Sequence, residues 1–361
     1  MSNQSQSPSF TIGNREIGHD FQTLFIADIG ANHDGDLDRA LRLIDQAHAA
    51  GAEAVKFQHF TAKTIVSQRG FDIVGPTAHQ KDWIKPVYEV YQDATINLNW
   101  TSILSQHCKE LDVIFMSTPY DFALCDHLDP YVKCYKVGSG DINWIDLLAH
   151  IASKNKPIFL STGASTLQDV VNAHDAISFS QQGICILLCN TDYAGSLDIY
   201  RHINLRVLQT YAECFPRAVL GLSDHTSTLT TALGAVALGA RVIEKHFTDD
   251  NNRVGPDHGF AITAKSWREM VERTRELELS LGLNEKIVED NEKSSFIVQR
   301  RSICASRDLK KGTILSLSDL EVLRPCPPGA APPSALSLLH GQKLDRDILS
   351  GEPILLSDLI A

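Results

Sequence analysis

Short, almost wholly apolar runs alternate with amphipathic segments from Leu24 to about Gly282. The runs at 24–28, 54–57, 113–117, 134–137, 157–161, 184–189, 219–223 and 241–246 lack the in–out alternation of a half-exposed strand, so they predict strands buried on both faces. Helix-period segments lie between most of them, such as 37–50 with Gly51 as its C-cap and 166–177 opened by Ser165 or Thr166. Eight strand–helix units of this kind predict an α/β fold, a closed parallel (β/α)8 TIM barrel, with a doubly wound open sheet as the alternative.

Beyond Gly282 the pattern changes. Residues 284–295 are polar and charged, and the remainder of the chain contains an internal echo: Arg307-Asp-Leu-Lys-Lys-Gly-Thr-Ile-Leu-Ser-Leu-Ser-Asp-Leu320 against Arg346-Asp-Ile-Leu-Ser-Gly-Glu-Pro-Ile-Leu-Leu-Ser-Asp-Leu359. Each copy sets a glycine turn after Arg-Asp, then an apolar strand, then a polar opening to a helical turn. The expected organisation is a barrel with a short N-terminal extension over 1–283, a linker over 284–298 and a small, pseudo-symmetric β-rich domain over 299–361. The proline-rich stretch at 325–333 is expected as an extended loop between the copies.

Composition narrows the function classes. A formal charge of −11 disfavours a nucleic-acid partner, which needs clustered Lys and Arg. No apolar run approaches the roughly 18 residues of a membrane span, and the polar residues 1–8 read as a loose terminus without the features of a secretory signal. The eight cysteines form no Cys-x-x-Cys pair, so reduced thiols in a cytoplasmic protein are expected.

In such barrels the chemistry sits at the carboxyl ends of the strands. Read in order, those positions are Asp28, Lys56, Thr118, Lys136, Ser161, Asn190, Ser223 and His246, all polar. Lys56 and Lys136 are embedded in apolar sequence, where an unpaired ammonium is costly. They point to an anion cradle, with Thr118, Ser139, Ser161 and Ser223 as hydroxyl donors; the plainer reading is that one lysine simply pairs with Asp28 or Asp141. His225 and His246 end adjacent apolar runs in segments that also carry Asp224 and Glu244. Two such imidazoles suit a divalent metal, Mn²⁺ or Mg²⁺, with positions left for water and substrate oxygen. Asp28 is a candidate contact to that water or to a substrate hydroxyl, and His33 is expected to order the first loop or to serve the reaction.

These residues carry a resemblance that runs through nearly the whole chain: Ile26-Ala-Asp-Ile-Gly-Ala-Asn-His-Asp-Gly35, Ala54-Val-Lys-Phe-Gln58, Ser117-Thr-Pro119, Tyr135-Lys-Val-Gly-Ser-Gly140, Leu160-Ser-Thr-Gly163, Gly221-Leu-Ser-Asp-His-Thr226, Val242-Ile-Glu-Lys-His-Phe247, Gly255-Pro-Asp-His258 and the tail from Arg307 to Leu359. The sequence resembles the sialic acid synthase family, with its C-terminal antifreeze-like (SAF) domain. The resemblance implies condensation of phosphoenolpyruvate with an N-acylated hexosamine to a nine-carbon 2-keto acid, with release of phosphate. It implies that phosphoenolpyruvate is held by Lys56, Thr118, Lys136, Ser139, Ser161, Thr191 and Ser223, and a divalent metal by His225 and His246. Tyr193, Asp257 and Arg324 are implied at the sugar, Arg324 from the other subunit of a domain-swapped homodimer. Asp28 and Asp141 are implied to orient or deprotonate water and sugar hydroxyls.

Three features depart from the family pattern. Asp28 and Asp141 stand where glutamate is usual, Ala194 follows Tyr193 where proline is usual, and His59 replaces a common threonine. Shortened carboxylates enlarge a pocket or admit a water, so N-acetylmannosamine and a 2,4-diacetamido-trideoxyhexose both remain as acceptors. Two other functions fit the residues: a Schiff-base aldolase acting through Lys136, and a non-catalytic carbohydrate-binding protein whose tail mediates assembly.

Overall fold

The computed structural model describes residues 7–75, 80–81, 83–180, 182–192 and 197–360. The chain divides into two units, 1–282 and 283–361. Among the described residues no helix is long and apolar enough to cross a membrane.

The first unit opens with an antiparallel hairpin of β1 (Ser9–Ile12) and β2 (Arg15–Gly18). Eight parallel strands come next: β3 (Leu24–Asp28), β4 (Ala54–His59), β5 (Ile114–Pro119), β6 (Tyr135–Val137), β7 (Ile158–Ser161), β8 (Ile184–Cys189), β9 (Val219–Asp224) and β10 (Val242–His246). Their order, β5-β4-β3-β10-β9-β8-β7-β6, brings the first and last strands together in register, with His246 opposite Asp28. The end strands β5 and β6 lie side by side, so the sheet curls into a nearly closed barrel with helices outside. The eight apolar runs are therefore the barrel strands, displaced at their ends by a residue or two.

Burial on both faces conceals an alternation that decides the chemistry. Along β10, Val242 packs in the barrel interior and Glu244 and His246 face a cavity at the strand ends, whereas Ile243 packs under the helices. Lys245 also points outward, where its Nζ pairs with Asp224 Oδ2 at 2.6 Å. The interior beneath the cavity is a separate cluster built from Leu24, Ile26, Ala54, Met116, Phe159, Leu187 and Val242. The hairpin closes this end by adding Phe10, Ile12 and Ile17, with Phe10 edge-on to Phe159 at 5.7 Å. Gly183, at φ +107°, permits that approach, because a Cβ there would lie 2.4 Å from Phe10 Cβ. In the sequence this stretch reads only as an extension, since two four-residue strands carry too little periodicity to register.

In the second unit a helix, Lys293–Val298, precedes an antiparallel pair, β11 (Ser302–Ala305) and β12 (Leu320–Leu323). The internal echo is a local pseudo-two-fold. Leu309 and its counterpart Ile348 exchange backbone hydrogen bonds at 2.8 and 2.9 Å, and Arg307 and Arg346 bind the matching buried carboxylates of Asp319 and Asp358. The segments after Gly312 and Gly351, expected as strands, instead make isolated bridges, Ile314 to Lys343 and Pro353 to Cys304. The only regular ladder among this unit's described residues is the β11–β12 pair.

Candidate active site

A cavity of about 520 Å³ opens at the carboxyl ends of the barrel strands. Asp28, Lys56, Thr118, Lys136, Ser139, Asp141, Ser161, Thr191, Ser223, His225, His246 and Asp257 all line it. Tyr193 lies outside the described residues, and Arg324 belongs to the second unit. Asn190, expected in the ring of strand ends, does not line the cavity: its side-chain amide donates to the His202 carbonyl and its own carbonyl accepts from His225.

The floor is a buried lattice of opposite charges. Lys56 Nζ donates to Asp28 Oδ2 at 2.6 Å, and both side chains are almost fully buried. Burial alone would push the Asp28 carboxyl up, but Lys56, with His246 and Lys136 behind it, outweighs burial and holds it down at about 2. Lys136 is less well matched: its Nζ donates to the Val137 carbonyl at 2.9 Å and lies 3.6 Å from Glu244 Oε1, and burial lowers its pKa. Glu244 Oε1 also accepts from Ser223 Oγ at 2.9 Å and lies 4.0 Å from Lys56 Nζ. Six buried polar atoms of the lining have no hydrogen-bond partner among the described residues: Gln80 Oε1, Thr118 Oγ1, Ser161 Oγ, Glu244 Oε2, Asp141 Oδ2 and His246 Nδ1. Unpaired buried polar atoms are costly and uncommon. Their convergence on one cavity beside two lysines marks a cavity whose polar atoms are left for partners from outside the chain.

The two imidazoles stand with ring centroids 5.4 Å apart, both against Phe260. His225 Nδ1 donates to the Asn190 carbonyl at 2.9 Å, which leaves the ring's lone pair on Nε2. His246 Nε2 is 3.3 Å from Asp28 Oδ2, and its Nδ1 is 3.7 Å from Asp257 Oδ2. Burial pulls His246 toward the neutral form that binds cations. At His225 burial is outweighed by the Cys189 sulfur 3.9 Å from Nδ1 and by the Asn190 carbonyl, so a cation there competes with a proton. Among the described residues no group of three or more His, Cys, Asp and Glu is arranged to enclose a metal. The residues nonetheless fit an open divalent site: two imidazoles, an orphaned ring nitrogen and nearby carboxylates, with the remaining positions left to ligands from outside the chain.

Asp257 is held in place from two loops. Its Oδ2 accepts from the Ala31 backbone N–H at 2.9 Å. Around it Asp34 binds Arg253 at 2.7 Å and His258 Nε2 at 2.9 Å, and Arg39 grips Asp249 through both guanidinium nitrogens. The loops after β3 and β10 are thus clamped together at the rim of the cavity.

Three further residues singled out in the sequence do not line the cavity. Asp224, expected beside the imidazoles, faces outward and binds Lys245, Thr226 and Thr231. His59, which stands where the family commonly has a threonine, points away from the cavity and joins Ser117 Oγ at 2.7 Å to Thr101 Oγ1 at 2.9 Å. His33 orders the first loop, accepting at Nδ1 from the Gly35 N–H at 3.1 Å, and does not line the cavity. Glu244, read with Asp224 as a carboxylate beside the imidazoles, does line the cavity, and so does Gln58, to which the sequence pattern assigns no role. Each lies two residues from a recognised site residue on the same strand, so strand parity alone would have found them.

Asp141 yields a test of its environment. Its half-buried carboxyl is pushed up to about 6 by burial, which Lys136 only partly offsets. A raised pKa means the folded state holds the proton more tightly than the unfolded chain does. Its favourable contribution is therefore full below about pH 4 and is lost as pH rises through 6. Asp141→Asn should stabilise the protein near pH 8 by about 1–3 kcal/mol more than it does near pH 4. Denaturant melts at the two pH values measure this, and equal effects at both would show that the charged form carries no burial penalty.

Fold and site together define a TIM-like barrel protein with a polar, lysine-bearing cavity at the carboxyl face of its strands. The chain belongs to the NeuB family, which matches residues 43–286, and residues 300–360 match the SAF domain. An N,N'-diacetyllegionaminic acid synthase from Legionella pneumophila is 36% identical over 353 residues, covering 95% of this chain and 96% of that protein. Another, from Campylobacter jejuni, is 35% identical over 311 residues, covering 84% and 91%. The crystal structure of N-acetylneuraminic acid (sialic acid) synthetase from Leptospira borgpetersenii, in complex with citrate, superposes with a TM-score of 0.70 at 27% identity, covering 81% of this chain and 96% of that one.

Proposed function

We propose that this chain condenses phosphoenolpyruvate with the open-chain aldehyde of an N-acylated amino sugar, forming a nine-carbon 2-keto sugar acid and inorganic phosphate. The observation that carries the reading is the convergence of Lys56, Lys136 and the unpartnered hydroxyls of Thr118 and Ser161 beside the paired imidazoles. The named activities of the family relatives support it.

In this reading the two ammonium groups and the hydroxyls of Thr118, Ser139, Ser161, Thr191 and Ser223 bind the phosphate and carboxylate of phosphoenolpyruvate. They hold its C3 against the aldehyde carbon, so positioning supplies much of the rate. The new C–C bond uses the enol π electrons, the aldehyde oxygen becomes a hydroxyl, and water adds at C2. Asp28, kept ionised by Lys56, orients that water, one of whose protons passes to the aldehyde oxygen and the other to the departing phosphate, while Asp141 hydrogen-bonds the acceptor. Collapse of the C2 centre breaks the C–O bond to phosphate and leaves the ketone. His225 and His246 would hold a divalent cation such as Mn²⁺ or Mg²⁺, whose chemistry there is polarisation of a carbonyl oxygen.

The experiment is phosphate release from phosphoenolpyruvate in the presence of a divalent cation and a panel of N-acyl hexosamines, with mass spectrometry of the product. A product mass equal to the sugar plus pyruvate is expected; no phosphate with any sugar would sink the proposal. A Schiff-base aldolase through Lys136 is the second reading, favoured by the lowered pKa of that buried amine. Borohydride trapping of pyruvate on the protein would support it over the first.

Arg324 of the second unit is proposed to reach the sugar in the partner's cavity, in a domain-swapped homodimer. Arg324→Ala should raise the KM of the sugar about tenfold and leave that of phosphoenolpyruvate within about twofold. Mixing this variant with Lys136→Ala subunits should restore activity, because one of the two composite sites is then intact. Failure to recover activity on mixing, with dimers present, would place Arg324 in its own subunit's site or outside any.

A further inference from the structure

Behind the paired imidazoles, on the helix side of the sheet, lies an ion pair that takes no part in the cavity. Asp224 ends β9 immediately before His225, and Lys245 immediately precedes His246 on β10; the two are register partners across the strands. Strand parity turns both side chains outward. Both are almost fully buried there, and Thr231 of the helix Thr230–Ala237 donates to Asp224 Oδ2 at 2.6 Å.

An ammonium group has three protons to place, and Lys245 Nζ is surrounded by acceptors: Asp224 Oδ2 at 2.6 Å, the Thr226 carbonyl at 2.6 Å and the Thr228 carbonyl at 3.3 Å. Asp224 in turn bends the chain over His225, since its Oδ1 accepts from the Thr226 N–H at 3.0 Å. The residues on either side of His225 are thus fastened through one side chain to the residue before His246.

Stability alone does not account for such a pair, because apolar side chains of similar volume often serve a buried position as well or better. Geometry does. An open site of two imidazoles depends on both lone pairs aiming at one point, so the spacing of the rings, 5.4 Å between centroids, has to be held from outside the cavity.

We infer that Lys245 and Asp224 are positioning residues: their outward ion pair sets the spacing and aim of His225 and His246, and through them the affinity of the site for a divalent cation. The inference rests on the two imidazoles holding such a cation, as proposed above.

The test is calorimetric titration of the whole protein with Mn²⁺, in the wild type, in Lys245→Met and in the double variant Lys245→Met, Asp224→Asn. Affinity for phosphoenolpyruvate without added cation, and the melting temperature, are measured on the same samples. Both variants should bind Mn²⁺ about 10–100-fold more weakly, as when a group that orients a metal ligand is lost, with phosphoenolpyruvate affinity within about twofold of wild type. Turnover should climb back toward the wild-type rate as Mn²⁺ saturates, because both imidazoles remain. Asp224→Asn removes the carboxylate that Lys245→Met leaves buried and unpaired, so the double variant should melt above the single one while still binding Mn²⁺ weakly. That combination separates positioning from stability, and the double variant decides the matter where the single one does not fold. Wild-type Mn²⁺ affinity in the double variant would overturn the inference. So would equal weakening toward Mn²⁺ and phosphoenolpyruvate, which marks a general loosening, or failure of both variants to fold, which makes the pair a stability element. A wild type that does not bind Mn²⁺ would remove the cation site itself and the inference with it, leaving phosphate release to judge the condensation.

Discussion

Lys56→Met is expected to lower kcat/KM for phosphoenolpyruvate by about 10³-fold or more and to destabilise the protein by about 3–5 kcal/mol. The two effects have separable causes. Removing the ammonium strips the cavity of one of the two lysines in its described lining, so in the proposed reading the loss of activity stems from weaker holding of phosphoenolpyruvate. The loss of stability stems from Asp28, whose carboxylate, 2.6 Å from Lys56 Nζ, is left buried and charged. Asp28 is held at about 2 chiefly by Lys56 against the pull of burial, so without the lysine it takes up a proton near neutrality or drags water into the floor. The double variant Lys56→Met, Asp28→Asn should recover most of the stability and none of the activity. Chemical denaturation and steady-state kinetics on both variants decide the matter. Stability that stays low in the double variant would mean the pair does not control folding; activity within about tenfold of wild type in the single variant would remove Lys56 from the anion site.

His246→Ala should abolish turnover that depends on a divalent cation, a loss on the order of 10³-fold or more, and leave the fold intact. The reason stability should survive is specific to this ring. One nitrogen, Nδ1, is buried without a hydrogen-bond partner among the described residues, and the other is 3.3 Å from Asp28 Oδ2, a carboxylate that Lys56 and the Gly30 N–H already satisfy. Truncation therefore strands no polar group that depends on the imidazole. Calorimetric titration with Mn²⁺ gives a readout apart from activity: binding should weaken by about 10²-fold, comparable to other losses of a ligand or its support. Unchanged Mn²⁺ affinity, or unchanged activity at saturating cation, would take His246 out of the site.

Much of this architecture was legible in the chain. The eight apolar runs became the eight barrel strands because a strand covered on both faces has nowhere to put polar residues except at its ends. The same logic marked Lys56, Lys136 and Ser223 as site residues: polar groups at the exit of an apolar run either line a cavity or need a private partner. It failed for Asn190, which does have a private partner, the His202 carbonyl. It could not tell that Glu244 faces the cavity and Asp224 does not, because strands buried on both faces show no alternation from which to read inside from outside. The hairpin at Ser9–Gly18 escaped because its role, stoppering the barrel with Phe10 and Ile17, depends on residues such as Phe159 and Cys185 that are far away in sequence.

The sequence by itself determined the number and order of the barrel strands, the polar character of their carboxyl ends and the two-copy build of the small C-terminal unit, because each arises from local apolar patterning and turn chemistry. Tertiary structure alone decided which of those polar ends share a cavity. Closure sets β10 beside β3, so that His246 meets Asp28 across more than two hundred residues, and strand parity aims Glu244 between the lysines while turning Lys245 away. Neither choice has a local cause: side chains of one parity meet only when the sheet curls, and the energy of burying their charges is set by the partners that closure supplies.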